Sequence, residues 1–214
     1  SHLWGFGLTE ETAGCDSRGT KSTARLVDGE WIVNGSKIFI TNSATPMTLG
    51  STIQVVSGEK DGKPEFTAFL IENDTPGFTQ RKMDRKMMWR ASNTGELRFD
   101  NVRLTDENIL GKPGQGSHIM LATLDGGRLS IGAMGLGCAQ GAFEMALAYA
   151  KKREQFGKQI CKFQAVSFML AEMEVKINAA RELLYKACRM KDAKVPFGKE
   201  AAMAKLFCSE VAAE

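Results

Sequence analysis

Hydrophobic residues in the first half of the chain occur in short runs separated by polar turns. The dipeptides Asp28-Gly29 and Asn34-Gly35 divide the first of these runs, and such pairs readily adopt the positive φ angles that tight hairpin turns need. Short strands at this spacing predict an antiparallel β-sandwich or barrel. The predicted strands cover residues 24–27, 31–33, 37–41, 52–56 and 66–71, and residues 96–99 and 102–104 form one last strand or a bulged pair.

The hydrophobic period becomes helical after the glycine-rich segment 111–116, which matches no phosphate-binding loop and is interpreted as a hinge. Apolar residues then recur three or four positions apart, which predicts helices from 117 to about 153, from 164 to about 191 and from 199 onward. In the second of these helices the spacing predicts one inner face, made of Leu170, Met173, Ile177, Ala180, Leu184 and Cys188. The last predicted helix reaches Glu214 without a stop signal, a pattern typical of a truncated chain. The sequence therefore predicts a β domain at 3–110 and an incomplete antiparallel helical-bundle domain at 111–214.

The first predicted helix contains glycines at 132, 135, 137 and 141. Each interior glycine lowers the intrinsic stability of a helix by roughly 1 kcal/mol, but it also allows a second helix to approach closely. We therefore expect these helices to need a partner, which is either further helices of the bundle or another subunit.

The composition is that of an ordinary globular protein, with 43% hydrophobic and 25% charged residues. The formal charge of +3 is too small to favour a nucleic acid as the main partner. No apolar run approaches the length that spans a bilayer, so no membrane insertion is expected. The five irregularly spaced cysteines are typical of reduced thiols, and two histidines are too few for a His-rich metal site. These features favour the cytoplasm or an organelle matrix.

Two polar stretches of the first half have residue types suited to a ligand. The opening loop, 8–16, combines the hydroxyl of Thr9 with the thiol of Cys15, and its simpler interpretation is a solvated connection. Phe39 and Thr41 stand two positions apart in a predicted strand, so their side chains share one face. An aromatic ring beside a hydroxyl can cover a flat ligand and bond its edge. The simpler alternative is an inward Phe39 next to an ordinary strand threonine.

Two further stretches lie in the helical half. Asp125 and Arg128 can form an ordinary i, i+3 ion pair, or they can face a ligand in the space that the two glycines between them leave open. Arg153 precedes Gly157 and Gln164 in a polar segment. Its simpler interpretation is a helix C-terminus capped by glycine, and its alternative is a set of donors to a phosphate or a heterocycle edge.

These four stretches belong to a set of six motifs that follow one another along the chain. They are Leu8-Thr9-Glu10 with Ala13-Gly14-Cys15-Asp16, Asn34-Gly35-Ser36-Lys37 with Phe39-Ile40-Thr41-Asn42, Trp89-Arg90-Ala91-Ser92-Asn93-Thr94 with Val102-Arg103, Leu124-Asp125-Gly126-Gly127-Arg128, Arg153-Glu154-Gln155-Phe156-Gly157 with Phe163-Gln164, and Ala201-Ala202-Met203-Ala204-Lys205. Each motif is weak by itself, but six in this order are specific, and together they resemble the acyl-CoA dehydrogenases over essentially all of the chain from Trp4 onward. Three positions differ from the family pattern, which usually has proline at Glu11, serine at Cys15 and glycine at Met88.

The resemblance implies a middle β domain followed by part of a C-terminal bundle, without the family's N-terminal helical domain and without the end of the bundle. It also implies FAD as the cofactor and a homo-oligomer, a dimer or a tetramer, in which part of the chain reaches the FAD of a neighbouring subunit. Cys15, Asp125 and Arg128 are the residues implied in substrate binding. The residues implied in FAD binding are Leu8, Thr9, Gly14, Cys15, Phe39, Ile40, Thr41, Arg153, Gln155, Phe156 and Gln164.

The activity that the resemblance implies is the α,β-dehydrogenation of an acyl-CoA, most similar to the short-chain, butyryl-CoA branch, with electrons passed to an electron-transferring flavoprotein. Most members carry the catalytic glutamate in the last helical segment, which the fragment lacks, and a minority carry it at the position of Gly127. We therefore assign no catalytic residue and expect the fragment to be inactive alone. The alternatives are an acyl-CoA oxidase or flavin hydroxylase relative, an enoyl-CoA reductase, and a non-enzymatic scaffold.

Overall fold

The structure is a computed structural model that describes residues 2–214. It divides into two compact units, one that ends at Leu121 and one that covers Ala122–Glu214. The strands are β1 (Leu3–Gly7), β2 (Thr23–Val27), β3 (Glu30–Thr41), β4 (Thr48–Lys60), β5 (Lys63–Glu72), β6 (Phe78–Lys82), β7 (Thr94–Leu104), β8 (Glu154–Gln155) and β9 (Lys158–Gln159), and the helices are α1 (Gly116–Lys152), α2 (Gln164–Asp192) and α3 (Gly198–Ala213).

The first unit is built on one seven-stranded sheet in the order β1-β4-β2-β3-β7-β6, with β5 paired to β4. The pairs β2–β3, β3–β7, β4–β5 and β6–β7 are antiparallel, whereas β1–β4 and the single contact of β2 with β4 are parallel. The predicted fold class, a β domain followed by bundle helices, is confirmed, but a purely antiparallel sheet is wrong. Parallel pairing arises because the chain passes through β2 and β3 before it returns beside β1 as β4, and parallel strands need such a long crossover.

The turns of the sheet only partly follow the predicted signals. Asp28 and Gly29, with φ angles of 51° and 86°, connect β2 and β3 as predicted, and Asp61-Gly62 connects β4 and β5 in the same way. Asn34-Gly35 does not form a turn, since it lies inside β3 at an irregularity in the pairing with β7. Gly35 has a φ of 136°, and an added Cβ would overlap Ser22. Two predicted strands are therefore one bulged strand.

The core of the first unit lies against this sheet. Trp31 and Phe69 meet edge to face at 5.6 Å, and Phe78 stacks on Phe99 at 5.4 Å between ring centroids. The remaining buried members alternate along the strands, as expected for side chains that share one face. They are Ala24, Val33, Ile40, Ile53, Val55, Ile71, Leu97, Val102 and Leu104.

The glycine-rich segment after β7 is attached to β5. The Leu110 amide donates to the carbonyl of Ala68 at 2.9 Å, and the Gly114 amide donates to Oγ1 of Thr67 at 3.1 Å. A Cβ on Gly116 would lie 2.7 Å from the backbone carbon of Thr67. The segment that the sequence suggested as a hinge therefore packs within the first unit.

The three predicted helices are confirmed, and α2 buries three of the residues predicted for its inner face, Ile177, Ala180 and Leu184. Glycines of α1 allow α3 to approach closely at one point. A Cβ on Gly135 would lie 2.8 Å from the carbonyl oxygen of Cys208, whereas a Cβ on Gly137 would meet nothing within 4 Å. Only part of the predicted glycine set thus serves helix packing in this unit.

By length and composition alone, α1 could cross a membrane, and it is the one such helix among residues 2–214. The expectation that no apolar stretch reaches this length is therefore wrong for α1. A single helix of this kind is weak evidence of insertion, since core helices of globular proteins meet the same criterion. Leu129, Leu136 and Phe143 of α1 contribute to the hydrophobic core of the second unit.

The contrast between two glycines of α1 gives a matched test of helix packing. We expect Gly135→Ala to lower the free energy of unfolding by about 1–3 kcal/mol, because the methyl group must displace the backbone at Cys208. Gly137→Ala should raise it by up to about 1 kcal/mol, because alanine is the better helix former and has free space there. Thermal unfolding followed by circular dichroism measures both changes. Equal shifts in the two variants would contradict the close approach.

Candidate functional site

The opening loop forms a small closed turn. The amide of Glu10 donates to the carbonyl of Ala13 at 3.0 Å, and the amide of Ala13 donates back at 3.2 Å. Gly14 and Cys15 follow on the exposed side. A Cβ on Gly14 would meet no atom within 4 Å, so the space beside this backbone is open to a ligand.

The loop lies beside the end of β3. The amide of Ile38 donates to the carbonyl of Thr9 at 2.9 Å, and Nζ of Lys37 donates to the carbonyl of Leu8 at 3.3 Å. Leu8 is buried and Thr9 is half-buried. These bonds bring the first two predicted site residues next to the strand that carries Phe39.

A buried ion pair joins the same two segments. Nζ of Lys37 lies 2.8 Å from Oε1 of Glu10, and the two side chains are 0% and 6% exposed. The carboxylate also accepts the backbone amides of Lys21 at 2.6 Å and Ser22 at 3.1 Å. Since a buried charge is stable only when it is paired and hydrogen-bonded, the loop and the strand are held in one arrangement.

Opposing effects act on the pKa values of this pair. Burial raises the pKa of Glu10, but the hydrogen bond and charge of Lys37, together with the bonds from Lys21 and Ser22, outweigh burial, so the net pKa is below its ordinary value of 4.5. Burial lowers the pKa of Lys37 below 10.5, and Glu10 opposes this shift. The pair was not predicted from the sequence. Its signal is the position of Lys37, which follows the inward-facing Trp31 and Val33 at even spacing along β3.

Phe39, Ile40 and Thr41 end this strand with alternating burial. Phe39 is 61% exposed and Ile40 is 2% exposed, and Thr41 is exposed again. The alternative of an inward Phe39 is therefore wrong. The backbone of Phe39 has a φ of 62°, at an irregularity in the pairing of β3 with β7. A bulky residue in this left-handed region is under strain, and such residues cluster at functional sites.

Asn93 holds the chain that follows β3. Its Oδ1 accepts the amide of Ala44 at 3.0 Å, and its Nδ2 donates to the carbonyl of Ala44 at 2.9 Å. The amide of Asn42 donates to the carbonyl of Asn93 at 3.0 Å. In the sequence, Asn93 was only one member of a motif, and its contacts show that it fixes the segment immediately after Thr41.

In the second unit, Asp125 and Arg128 form an ion pair with half-buried side chains. A Cβ on Gly198, at the start of α3, would lie 2.9 Å from Oδ2 of Asp125, whereas a Cβ on Gly127 would meet nothing within 4 Å. The simple i, i+3 ion pair is thus present, and the helix surface beside Gly127 is open. The role of Asp125 and Arg128 in substrate binding stays a prediction.

The other predicted site residues of the second unit lie on or beside a hairpin. Phe156 and Gly157, with φ angles of 50° and 74°, form the turn between β8 and β9, so Gly157 as a helix cap is wrong. Phe156 is 93% exposed, and its ring contacts Phe163 edge to face at 6.2 Å. Arg153 and Gln155 lead into the turn and Gln164 begins α2, all of them exposed.

The predicted site residues therefore form two groups, each within one compact unit. The first group is supported by the buried ion pair and by the hydrogen bonds of Asn93. It presents the exposed aromatic ring of Phe39. In residues 2–214, no group of three or more His, Cys, Asp or Glu side chains is arranged to hold a metal ion. The chemistry that this arrangement suits is the binding of a flat, uncharged ring system beside hydrogen-bonding groups.

Comparison with known proteins identifies the family. The middle domain of acyl-CoA dehydrogenases matches residues 5–102, and the C-terminal domain of the same family matches residues 114–214. A probable acyl-CoA dehydrogenase of Bacillus subtilis is 46% identical over 211 residues, which cover 98% of this chain and 55% of that protein. The chain belongs to the acyl-CoA dehydrogenase family.

Solved structures agree with this assignment. Butyryl-CoA dehydrogenase of Megasphaera elsdenii superposes with a TM-score of 0.90 at 44% identity, over 98% of this chain and 55% of that one. A chain from a structure described as the electron-transferring flavoprotein of Acidaminococcus fermentans superposes with a TM-score of 0.89 at 43% identity, over 98% of this chain and 55% of that one. The chain thus spans about 55% of the length of the relatives that it matches.

The buried pair predicts a specific dependence of stability on pH. We expect Lys37→Met to lower the free energy of unfolding by about 3–5 kcal/mol near neutral pH, because it leaves the Glu10 carboxylate buried without its cation. Arg103→Met, which breaks the exposed pair with Glu30, should cost less than about 1 kcal/mol. Urea unfolding of both variants and the wild type measures these differences.

The sign of the pH effect follows from the pKa directions. In the wild type, the lowered pKa of Glu10 contributes stability above pH 4.5 that is lost as the pH falls through the folded-state value. Without Lys37, burial still raises the pKa of Glu10 but the hydrogen bond and charge of Lys37 no longer lower it, so the folded-state pKa of Glu10 is higher in the variant than in the wild type. The folded variant therefore binds its proton at a higher pH than the folded wild type does, and the difference in stability between the two proteins should shrink on acidification. A constant difference would contradict the ion pair.

Proposed function

We propose that the protein carrying this chain catalyses the FAD-dependent α,β-dehydrogenation of a short-chain acyl-CoA and passes the electrons to an electron-transferring flavoprotein. The observation that carries the proposal is Phe39, an exposed ring on a strained backbone beside the fixed opening loop. Family membership supports the reaction class, and the similarity to a butyryl-CoA dehydrogenase supports a short acyl chain.

The first unit fits one part of a flavin. The ring of Phe39 offers an apolar face to the isoalloxazine, and Thr41 offers a hydroxyl to its edge. Ile40, buried between them, anchors the strand in the core. FAD, when bound, supplies the acceptor for a hydride from the substrate. Thr9 and the open backbone at Gly14 lie on the opening loop, where Leu8 is held by Lys37.

The second unit fits a flavin held by another subunit. Arg153, Gln155 and Gln164 are exposed donors, and the 93% exposed ring of Phe156 has a free apolar surface. A ring with this much free surface can stack on a flat ligand. We therefore propose that these residues contact the FAD of a neighbouring subunit in a homo-oligomer.

The substrate is the acyl-CoA thioester. We assign the contacts of its arm to Cys15 on the opening loop and to Asp125 and Arg128 on α1. The α-proton needs a carboxylate base in a water-poor pocket, and Gly127 provides none at the position that a minority of the family uses. The base is therefore assigned to no residue of this chain. We place the protein in the cytoplasm, or in the mitochondrial matrix for a eukaryotic source.

The flavin site can be tested by titrating FAD into the purified protein with its complete sequence. We expect the fluorescence of FAD to be quenched on binding, and Phe39→Ala to weaken binding about tenfold, because an aromatic stacking contact contributes about 1 kcal/mol or more. Leu26→Ala is the matched control, since Leu26 is an equally exposed apolar residue on β2, 58% exposed. The 214-residue chain by itself is expected to bind FAD weakly or not at all, and a complete wild-type protein that binds no FAD would favour the non-enzymatic scaffold.

The reaction can be tested on the FAD-loaded protein with its complete sequence. Anaerobic addition of butyryl-CoA should bleach the visible flavin absorbance, because the substrate reduces the cofactor. Slow reoxidation on mixing with oxygen is expected for a dehydrogenase, and fast reoxidation would identify an oxidase or a hydroxylase. Oxidation of the reduced protein by crotonyl-CoA at a higher rate than by the flavoprotein acceptor would favour the reductase direction.

A further inference from the structure

We propose that Glu10 and Lys37 are positioning residues, which fix the opening loop against the end of β3 so that Thr9 and Phe39 contact one ligand. The inference rests on the flavin site proposed above. It assigns a role to a buried charged pair to which the proposed flavin site gives no direct contact with the ligand.

Glu10 connects three parts of the chain. Its carboxylate accepts Nζ of Lys37 at 2.8 Å, the amide of Lys21 at 2.6 Å and the amide of Ser22 at 3.1 Å. Lys21 and Ser22 precede β2, Lys37 lies in β3, and Glu10 itself lies in the opening loop. A shift of the loop by one residue would break all three bonds at once, so the carboxylate fixes the register of the loop.

Lys37 and the residue after it fix the opening loop next to Phe39. Its ammonium donates to the carbonyl of Leu8 at 3.3 Å, and the next amide, on Ile38, donates to the carbonyl of Thr9 at 2.9 Å. Phe39 follows directly with a φ of 62°. A strained residue keeps this conformation only when its neighbours fix the chain on both sides, and Asn93 supplies the second side.

The pair is poorly explained by stability alone. Two charges with 0% and 6% exposure are strongly desolvated, and apolar residues of the same volume often replace such a pair with no loss of stability. A neutral pair cannot reproduce the whole geometry, because methionine at position 37 donates no hydrogen bond to Leu8 or to residue 10, even if glutamine at position 10 still accepts the amides of Lys21 and Ser22. A positioning role therefore predicts that stability and flavin binding separate in a neutral variant.

The test compares the double variant Glu10→Gln/Lys37→Met with the wild type and with the control Glu30→Gln/Arg103→Met. The control removes an exposed ion pair of the same sheet, with side chains 43% and 69% exposed. We measure the unfolding midpoint, the affinity for FAD and the visible absorption spectrum of the bound flavin. The double variant should unfold near the wild-type midpoint but bind FAD about tenfold more weakly and with a shifted flavin spectrum, because the loop must be ordered on binding.

Unchanged affinity and an unchanged spectrum in a folded double variant would overturn the positioning role. If the double variant does not unfold cooperatively, Glu10→Asp replaces it, since it keeps the charge and shortens the side chain. The same tenfold loss is expected there, and wild-type affinity overturns the proposal.

All variants are made in the protein with its complete sequence, and a complete wild type that binds no FAD would overturn the proposed function instead. In that case, hydrogen exchange at the amides of Ile38 and Lys21 decides the positioning role. Exchange about tenfold faster in the double variant supports it, because a loop that opens more often protects these amides less. Equal exchange rates overturn it.

Discussion

The side chain of Lys37 has no exposed surface, so its charge must be paired inside the protein, and its partner is the carboxylate of Glu10. The pair joins the opening loop to β3. The amides of Lys21 and Ser22, which donate to Glu10, join the segment before β2 to the same loop. Every predicted flavin contact of the first unit lies on one of these segments. Ile40 adds a buried anchor, and Asn93 fixes the chain beyond Thr41. The position of the exposed ring of Phe39 therefore depends on the groups that fix the chain on either side of it.

Local signals in the sequence predict local structure well. Asp28-Gly29 forms a hairpin turn because its two residues need nothing but positive φ angles. Asn34-Gly35 has the same local chemistry but lies in a bulge, since pairing with β7 and contact with Ser22 decide its conformation. These partners are distant in sequence, and the dipeptide contains no information about them. The same limit applies to β1, which the hydrophobic pattern did not predict because its partner β4 lies far along the chain.

The candidate site shows the same division. Its residues were identified through an ordered set of motifs, and the motifs indicate which residues belong together but not how they are supported. The pairing of Glu10 with Lys37 could be predicted only after the strand register was known. In the helical unit, periodicity predicted the inner face of α2, because helical neighbours are close in sequence. It could not separate Gly135, which packs on Cys208, from Gly137, which faces open space, since that difference depends on α3.

The parallel pairing of β1 has a consequence for the synthesis of the chain. The residues that β1 contacts run from Thr48 to Ile53, and β2 and β3 both emerge from the ribosome before them. β1 is thus made first among the strands and yet has no partner until the middle of β4 exists. The hairpin of β2 and β3, whose strands are joined by a two-residue turn, can close earlier. The order of translation and the order of sheet closure therefore differ, and Leu3–Gly7 stays unpaired in the nascent chain while the hairpin of β2 and β3 can already form.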